Sequence, residues 1–272
     1  MAVTVLDRQR RPATGLARGD FELFVDGEPR PIVEFDSDAT PVSLAILVDN
    51  SDSMGIPPNQ ELAREAVGRL LDRMTPGTDE IALFGFAKGL RLLEPFTTAP
   101  ADIARRMLQV EAWGETSLFD AIADTSTALT RRDRPRGAVI TVTDGVDTSS
   151  RLDGVAVARI VGAADLPLYV LATAWPGRGR DRNPVSHPVG DPVHSMDELA
   201  RYTGGQLYMV SDGTSAGIAA GAIVSELRHQ YLIGFEPGAR TGWHPLVIRT
   251  RQKSLTVRAR GGYFTGAPDA HP

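Results

Sequence analysis

Short apolar, β-branched runs alternate with amphipathic patterns through the middle of the chain, and this alternation predicts the fold class. The runs at 42–48, 81–86, 138–142 and 168–172 are almost continuously apolar. Parallel strands covered on both faces read this way, without a polar residue at every second place. Weaker strand patterns lie at 206–210 and 231–235. Within 60–74, Leu62, Ala66, Val67, Leu70, Leu71 and Met74 recur at helical spacing, with Pro76-Gly77 as the stop. Further helices are expected over 102–110, 117–131, 152–164, 196–202 and 217–229. The resulting order, β-α-β-α-α-β-α-β-α-β-α-β, implies an α/β fold with a doubly wound, mostly parallel sheet flanked by helices.

The two ends lack helical periodicity. Val3 and Val5, then Phe21, Leu23 and Val25, then Ile32 and Phe35, read as strands with a hairpin turn at Asp26-Gly27. Beyond the centre, Leu246, Ile248, Leu255 and Val257 alternate with polar residues toward Tyr263. Three regions are therefore expected: an N-terminal β segment (1–40), a central α/β domain (41–237) and a C-terminal β segment (238–272). The two end segments are expected to fold together as a small antiparallel β appendage. The stretch 173–194, rich in Pro, Gly and Arg, has no periodicity and reads as a long loop, either functional or mobile.

Composition narrows the function classes. The chain has 272 residues, room for one α/β domain and an appendage. A net charge of −5 with scattered arginines, as at 131–136 and 178–182, argues against nucleic-acid binding, which needs a clustered basic surface. The absence of cysteine excludes disulfides, thiol catalysis and thiolate metal sites. The longest uncharged run, 213–225, is shorter than the ~18–20 residues of a bilayer span. The opening MAVTVLDRQR has no signal-peptide pattern, so the chain as written is expected to be unexported.

Candidate chemistry gathers where apolar runs end. LAILVDNSDSMG carries a buried-type strand straight into Asp49, Ser51 and Ser53. Residues two apart in an extended segment project to the same side, so these three can converge. AVITVTDG ends in the same way at Asp144, and WGETSLFDAI sets Thr116 in a Gly-containing loop before a helix. In open α/β sheets, sites form beyond the carboxyl ends of strands. Two carboxylates and three hydroxyls make an oxygen-only set suited to Mg²⁺, Mn²⁺ or Ca²⁺. Singly, each residue has a plain structural explanation: Ser51, Ser53, Thr116 or Ser117 as a helix N-cap, Asp144-Gly145 as a turn. Together, at successive strand ends, caps explain them poorly.

That constellation resembles the metal-ion-dependent adhesion site of von Willebrand factor type A (VWA) domains. Over nearly its whole length the chain is similar to a bacterial subfamily, the VWFA-related proteins. The matching pieces are DFELFVDG (20–27), 44–54, PFTTAP (95–100), GETSLFDAI (114–122), TDGVDTSS (143–150), TGGQLY (203–208), LRHQYLIGF (227–235) and GGYF (261–264). The resemblance implies that Ser51 and Ser53 bind the cation through their hydroxyls, and that Thr116 joins when a ligand is engaged. Asp49 and Asp144 would bind directly or through water. A partner protein would complete the shell with an Asp or Glu carboxylate. One position departs from the family: Asp52 stands where Gly is usual, with extra charge and, if φ is positive there, a cost of about 1 kcal/mol. Asp120 and Asp147, close to the site in sequence, are expected to support it without binding the ion.

Enzymatic readings fare worse. An aspartyl phosphatase or phosphotransferase would use Asp49 as nucleophile, but needs a second Asp two residues on as general acid, where this chain has Ser51. None of the five histidines, His187, His194, His229, His244 and His271, falls in a hydrolase or metalloprotease motif. His229 is expected after a helix and the others in loops or at the terminus. The expected function is metal-dependent protein interaction without catalysis. The alternative is a structural or assembly subunit whose metal only steadies the fold.

Overall fold

Continuous apolarity along a strand demands cover on both faces, and here two layers of helix provide it. The computed structural model describes residues 1–37, 41–130, 137–173, 196–238 and 240–266. Four strands come first: β1 (Ala2–Leu6), β2 (Phe21–Val25), β3 (Glu28–Arg30) and β4 (Glu34–Asp36). The α/β part begins with β5 (Ser43–Asp49), α1 (Asn59–Leu71), β6 (Glu80–Phe86), β7 (Leu90–Thr97), α2 (Pro100–Met107) and α3 (Leu118–Leu129). It continues with β8 (Gly137–Thr143), α4 (Gly154–Ala164), β9 (Leu168–Thr173), α5 (Met196–Tyr202), β10 (Gln206–Val210) and α6 (Gly213–Arg228). Then come β11 (Tyr231–Gly234), β12 (Gly242–Thr250), β13 (Thr256–Ala259) and β14 (Gly262–Thr265).

The central sheet runs β10-β9-β8-β5-β6-β7, parallel except for the last strand. This is the doubly wound sheet that the pattern predicts. Leu44, Ile46 and Val48 of β5 pack into a core with α1, α2 and α6, while Ala45 and Leu47 pack into a second core with α3, α4 and α5. Every residue of β5 and β8 is buried, which is why both read as unbroken apolar runs. Strand β7 is absent from the hydrophobic pattern for a physical reason. It is an antiparallel edge strand interrupted by register shifts against β6, and its Pro95 is tolerable only because one side of the strand is unpaired. The loop predicted at 173–194 lies, apart from Thr173, outside the described residues, as do the arginine stretches 131–136 and 178–182 and His187, His194 and His271.

The two ends do pair with one another. One antiparallel sheet has the order β13-β1-β11-β4 and the other β14-β12-β2-β3, with Met1, Ile32 and Ile248 packing against the cores of both. Asp26 (φ 53°) and Gly27 (φ 83°) both take positive φ in the β2–β3 turn, the conformation that a two-residue hairpin favours. One expectation needs correction. The strand expected at 231–235 is not part of the central sheet but lies between β1 and β4, so the terminal β unit reaches into the span expected for the α/β domain. A four-residue strand leaving α6 directly carries no pattern that names its neighbour. His244 is also not in a loop: it is fully buried in β12, stacked on Tyr263 with Nδ1 2.6 Å from Asp26 Oδ2.

Buried polar contacts join the β unit to the α/β domain. Glu226 of α6 accepts a hydrogen bond from the Tyr169 hydroxyl (3.1 Å) and an ion pair from Arg258 of β13. Arg260 donates to the Gly162 carbonyl (2.8 Å), and the Tyr202 ring stacks on Trp243 with centroids 5.5 Å apart. A Cβ on Gly205 would sit 1.9 Å from the Leu168 carbonyl, and one on Gly262 2.1 Å from the Trp243 ring. Gly205 of TGGQLY and Gly262 of GGYF are thus accounted for by close packing.

A second lock holds α6 to the strand entrances. Asp79 is buried; it accepts N–H bonds from Thr75 (2.6 Å) and Val42 (3.0 Å) and pairs with Arg228 at 2.6 Å. Burial pushes its carboxyl up, but Arg228 and the two backbone donors outweigh burial and hold it below the ordinary 3.8. A depressed carboxyl contributes stability above its unfolded pKa, and that stability is lost as pH falls through the folded value. Asp79→Asn should cost about 3 kcal/mol in urea unfolding at neutral pH, because Arg228 is left largely buried without its counter-ion. The gap between variant and parent should narrow below about pH 4; a constant gap down to pH 3 would contradict this account.

Candidate metal site

Strands β5 and β8 are neighbours, with Val48 opposite Val142, so their carboxyl ends bring Asp49 beside Thr143 and Asp144. Asp49 is 2% exposed and both its oxygens are engaged. Oδ1 accepts the Ser51 N–H at 3.0 Å, and Oδ2 accepts the Thr143 hydroxyl at 2.6 Å. Burial pushes the Asp49 carboxyl up to about 6; the Thr143 and Ser51 bonds pull it down, and the charge of Asp144 adds to the push. Ser51 and Ser53 have their hydroxyl oxygens 3.2 Å apart. Asp144 Oδ1 accepts the Val146 N–H at 3.1 Å, while its Oδ2 is buried without a hydrogen-bond partner among the described residues. A buried carboxylate oxygen left unpaired is costly and calls for a ligand.

The simple helix-cap explanation does not hold for the serines. Ser51 precedes the 3₁₀ turn Asp52–Gly55 and Ser117 precedes α3, yet neither side chain makes a capping hydrogen bond. Thr116 is buried and placed by its backbone. Its N–H donates to Thr148 Oγ1 (2.9 Å), and its carbonyl accepts N–H bonds from Thr148 and Ser149 (both 2.9 Å). The hydrogen bonds of the described residues bring Asp49, Ser51 and Ser53 together directly; none ties the Thr116 hydroxyl to them.

The residues around this set act on loops. Asp147 accepts the Leu118 N–H (2.9 Å) and the Ser150 hydroxyl (2.8 Å), and Asp120 accepts N–H bonds from Arg151 and Leu152. These bonds stitch the segment after β8 onto the start of α3. Asp52 is not at positive φ, so the anticipated backbone cost does not arise. Its Oδ1 instead accepts the Gly114 N–H at 2.7 Å, and its own N–H donates to the Gly114 carbonyl at 2.9 Å. The residue that departs from the family pattern here fastens the serine loop to the threonine loop.

The donor set fits a hard divalent cation: two carboxylates, one with a free buried oxygen, and neutral hydroxyls alongside. Among the described residues no group of three or more His, Cys, Asp or Glu is placed to hold a metal, so any ion here depends on hydroxyl ligands. Residues 44–146 match the family model for the von Willebrand factor type A domain. This stretch of the chain is a VWA domain. A solved VWA protein from Catenulispora acidiphila is similar over 96% of this chain and 72% of its own, at 14% identity and a TM-score of 0.54. The protein BatB from Bacteroides thetaiotaomicron covers 67% of this chain and 97% of its own, at 17% identity and 0.52. The proximal thread matrix protein 1 of the mussel byssus, solved with a zinc-occupied MIDAS motif, covers 75% of this chain and 50% of its own, at 15% identity and 0.55. At such identities these likenesses speak for the VWA fold alone. A search of curated proteins finds no match.

Two residues at this edge of the sheet escaped the sequence reading. Thr143 holds Asp49 and also accepts the Gly145 N–H at 3.0 Å; its signal was a polar residue closing an apolar strand, directly before Asp144. Thr148 secures Thr116, and no spacing rule marks it. Thr143→Val should lower stability by about 2 kcal/mol, since it strands a buried carboxylate oxygen and an N–H, while Thr143→Ser should stay near the parent. Thermal melts of the two variants would check this, equal losses counting against it. Asp52→Gly should cost about 1 kcal/mol, the worth of one exposed charge-assisted bond, in the same measurement; a gain in stability would show that the bond contributes nothing.

Proposed function

We propose that this VWA domain is a metal-dependent protein-binding module rather than an enzyme, and that Mg²⁺ or a similar hard cation sits at the ends of β5 and β8. The observation that carries the reading is the free, buried Asp144 Oδ2 beside the desolvated Asp49. Two carboxylates there repel each other across a poorly hydrated gap, and a dication turns that repulsion into attraction. Ser51, Ser53 and Thr116 would supply hydroxyl oxygens, and Asp49 and Asp144 the charge. Mg²⁺ takes six oxygens at ~2.0–2.1 Å, so these side chains leave room for an incoming ligand. A partner Asp or Glu carboxylate suits that place, since the ion's charge would favour an anion. The zinc-occupied site reported for the mussel protein supports a cation at this edge of the fold.

The setting of Asp49 also speaks against a nucleophile. Both Asp49 oxygens are hydrogen-bonded and the residue is almost fully covered, which suits a fixed ligand better than an attacking group.

Mg²⁺ at 100 times its Kd should stabilise the parent by about 2.7 kcal/mol in thermal unfolding. Asp144→Asn and the Ser51→Ala/Ser53→Ala pair should abolish that gain. Partner capture by the immobilised chain should vanish on chelation and in Thr116→Ala. Capture that survives both would favour a purely structural ion, and an absent Mg²⁺ shift would remove the metal altogether.

A further inference from the structure

Beside the five oxygen ligands, the same edge of the sheet presents an apolar surface that the metal reading does not use. Trp113 is 48% exposed and Ile56 47% exposed. Their two loops are zipped together. The Trp113 N–H donates to the Asn50 carbonyl at 2.6 Å, Asp52 and Gly114 exchange two hydrogen bonds, and Asn50 Nδ2 reaches the Glu111 carbonyl at 3.4 Å. Next to these residues, a Cβ on Gly55 would stand 3.0 Å from Ala112 Cβ, so the backbones that carry Ile56 and Trp113 touch. One loop also bears Ser51 and Ser53, and the other bears Thr116. The apolar pair and the hydroxyl ligands are therefore carried on the same short segments.

A tryptophan held in place by its backbone loses little entropy on binding, and large aromatic side chains set in a rigid frame are the usual anchors of protein interfaces. Charge says what the anchor faces. The Arg91 guanidinium lies 5.6 Å from the Trp113 ring centroid, and among the described residues it has no carboxylate partner. Lys88, in the turn before β7, lies 3.8 Å from Glu115. The rim thus combines exposed apolar surface with an unpaired cation.

We propose that Trp113 and Ile56, flanked by Arg91, form a second contact beside the ion, and that the partner segment is an acidic peptide whose metal-bound carboxylate has a large apolar side chain next to it. This rests on the proposed metal-dependent binding. The carboxylate is drawn by the ion and Arg91, and the apolar neighbour covers the indole and Ile56. Specificity then comes from the pair: an acidic segment without the apolar neighbour is held by charge alone, and an apolar segment without the acid finds no ligand place.

The test uses the full chain and beads coated with four synthetic Gly/Ser peptides: one with adjacent Asp and Phe, one with Asp alone, one with Asn and Phe, and one with Asn alone. In saturating Mg²⁺ the Asp-Phe coat should retain the parent best. Removing Phe from the coat, or making Trp113→Ala, should each weaken retention about 30-fold, and doing both should add little further. Ile56→Ser and Arg91→Glu should weaken it less, and thermal melts should show every variant folded, as expected for exposed positions. If Asp and Mg²⁺ are required while Phe and Trp113 are not, the apolar contact is refuted and the metal reading stands. Mg²⁺-independent retention of both Phe coats alike would refute the pairing. If no coat is retained in a Mg²⁺-dependent way, both readings fail.

Discussion

Two carboxylates at the ends of adjacent buried strands are the constraint around which the rest of this domain is arranged. Asp49 is buried and near enough to Asp144 for that charge to push its carboxyl up, and each uses nearby donors to bear its charge. Thr143 and the Ser51 N–H secure Asp49, yet one Asp144 oxygen remains without a donor among the described residues. Such an arrangement is poor for stability alone, since replacing buried charge by apolar packing often costs nothing. The unpaired oxygen at the carboxyl edge of a doubly wound sheet is what the proposed cation would satisfy.

Precision at this edge comes from hydrogen bonds between loops. The segment after β8 is stitched to the start of α3 through Asp147, Asp120, Thr148 and Ser149, and the serine loop is fastened to the threonine loop through Asp52 and Gly114. Loops supported in this way behave as part of the scaffold, so the segments that carry Ser51, Ser53 and Thr116 are held by backbone bonds without a long helix or strand beneath each. The exposed Trp113 gains its fixed position from the same zip.

The terminal β unit serves a different purpose. Its two antiparallel sheets each pair an N-terminal strand with a strand more than 200 positions away, as in Val3 opposite Tyr231 and Val25 opposite Leu246, and the unit is docked on the α/β domain by buried pairs such as Glu226 with Arg258. Gly204, Gly205 and Gly262 fall at such close contacts, with Ala259, Leu168 and Trp243. These glycines report packing, and the candidate ligands Asp49, Ser51, Ser53, Thr116 and Asp144 lie elsewhere in the chain.

The sequence by itself determined the helices and the buried strands between them, because a period of 3.6 and an unbroken apolar run are both local properties of the chain. It also determined that Asp49, Ser51 and Ser53 share a side at a strand end. Only the tertiary structure decided that β11 joins β1 and not the central sheet, that Pro95 lies in an edge strand, and that Asp52 bonds Gly114 across 62 positions. It likewise assigned Thr143 and Thr148 their tasks. Pairing partners and loop-to-loop hydrogen bonds depend on which segments become neighbours in space, and no local period encodes that.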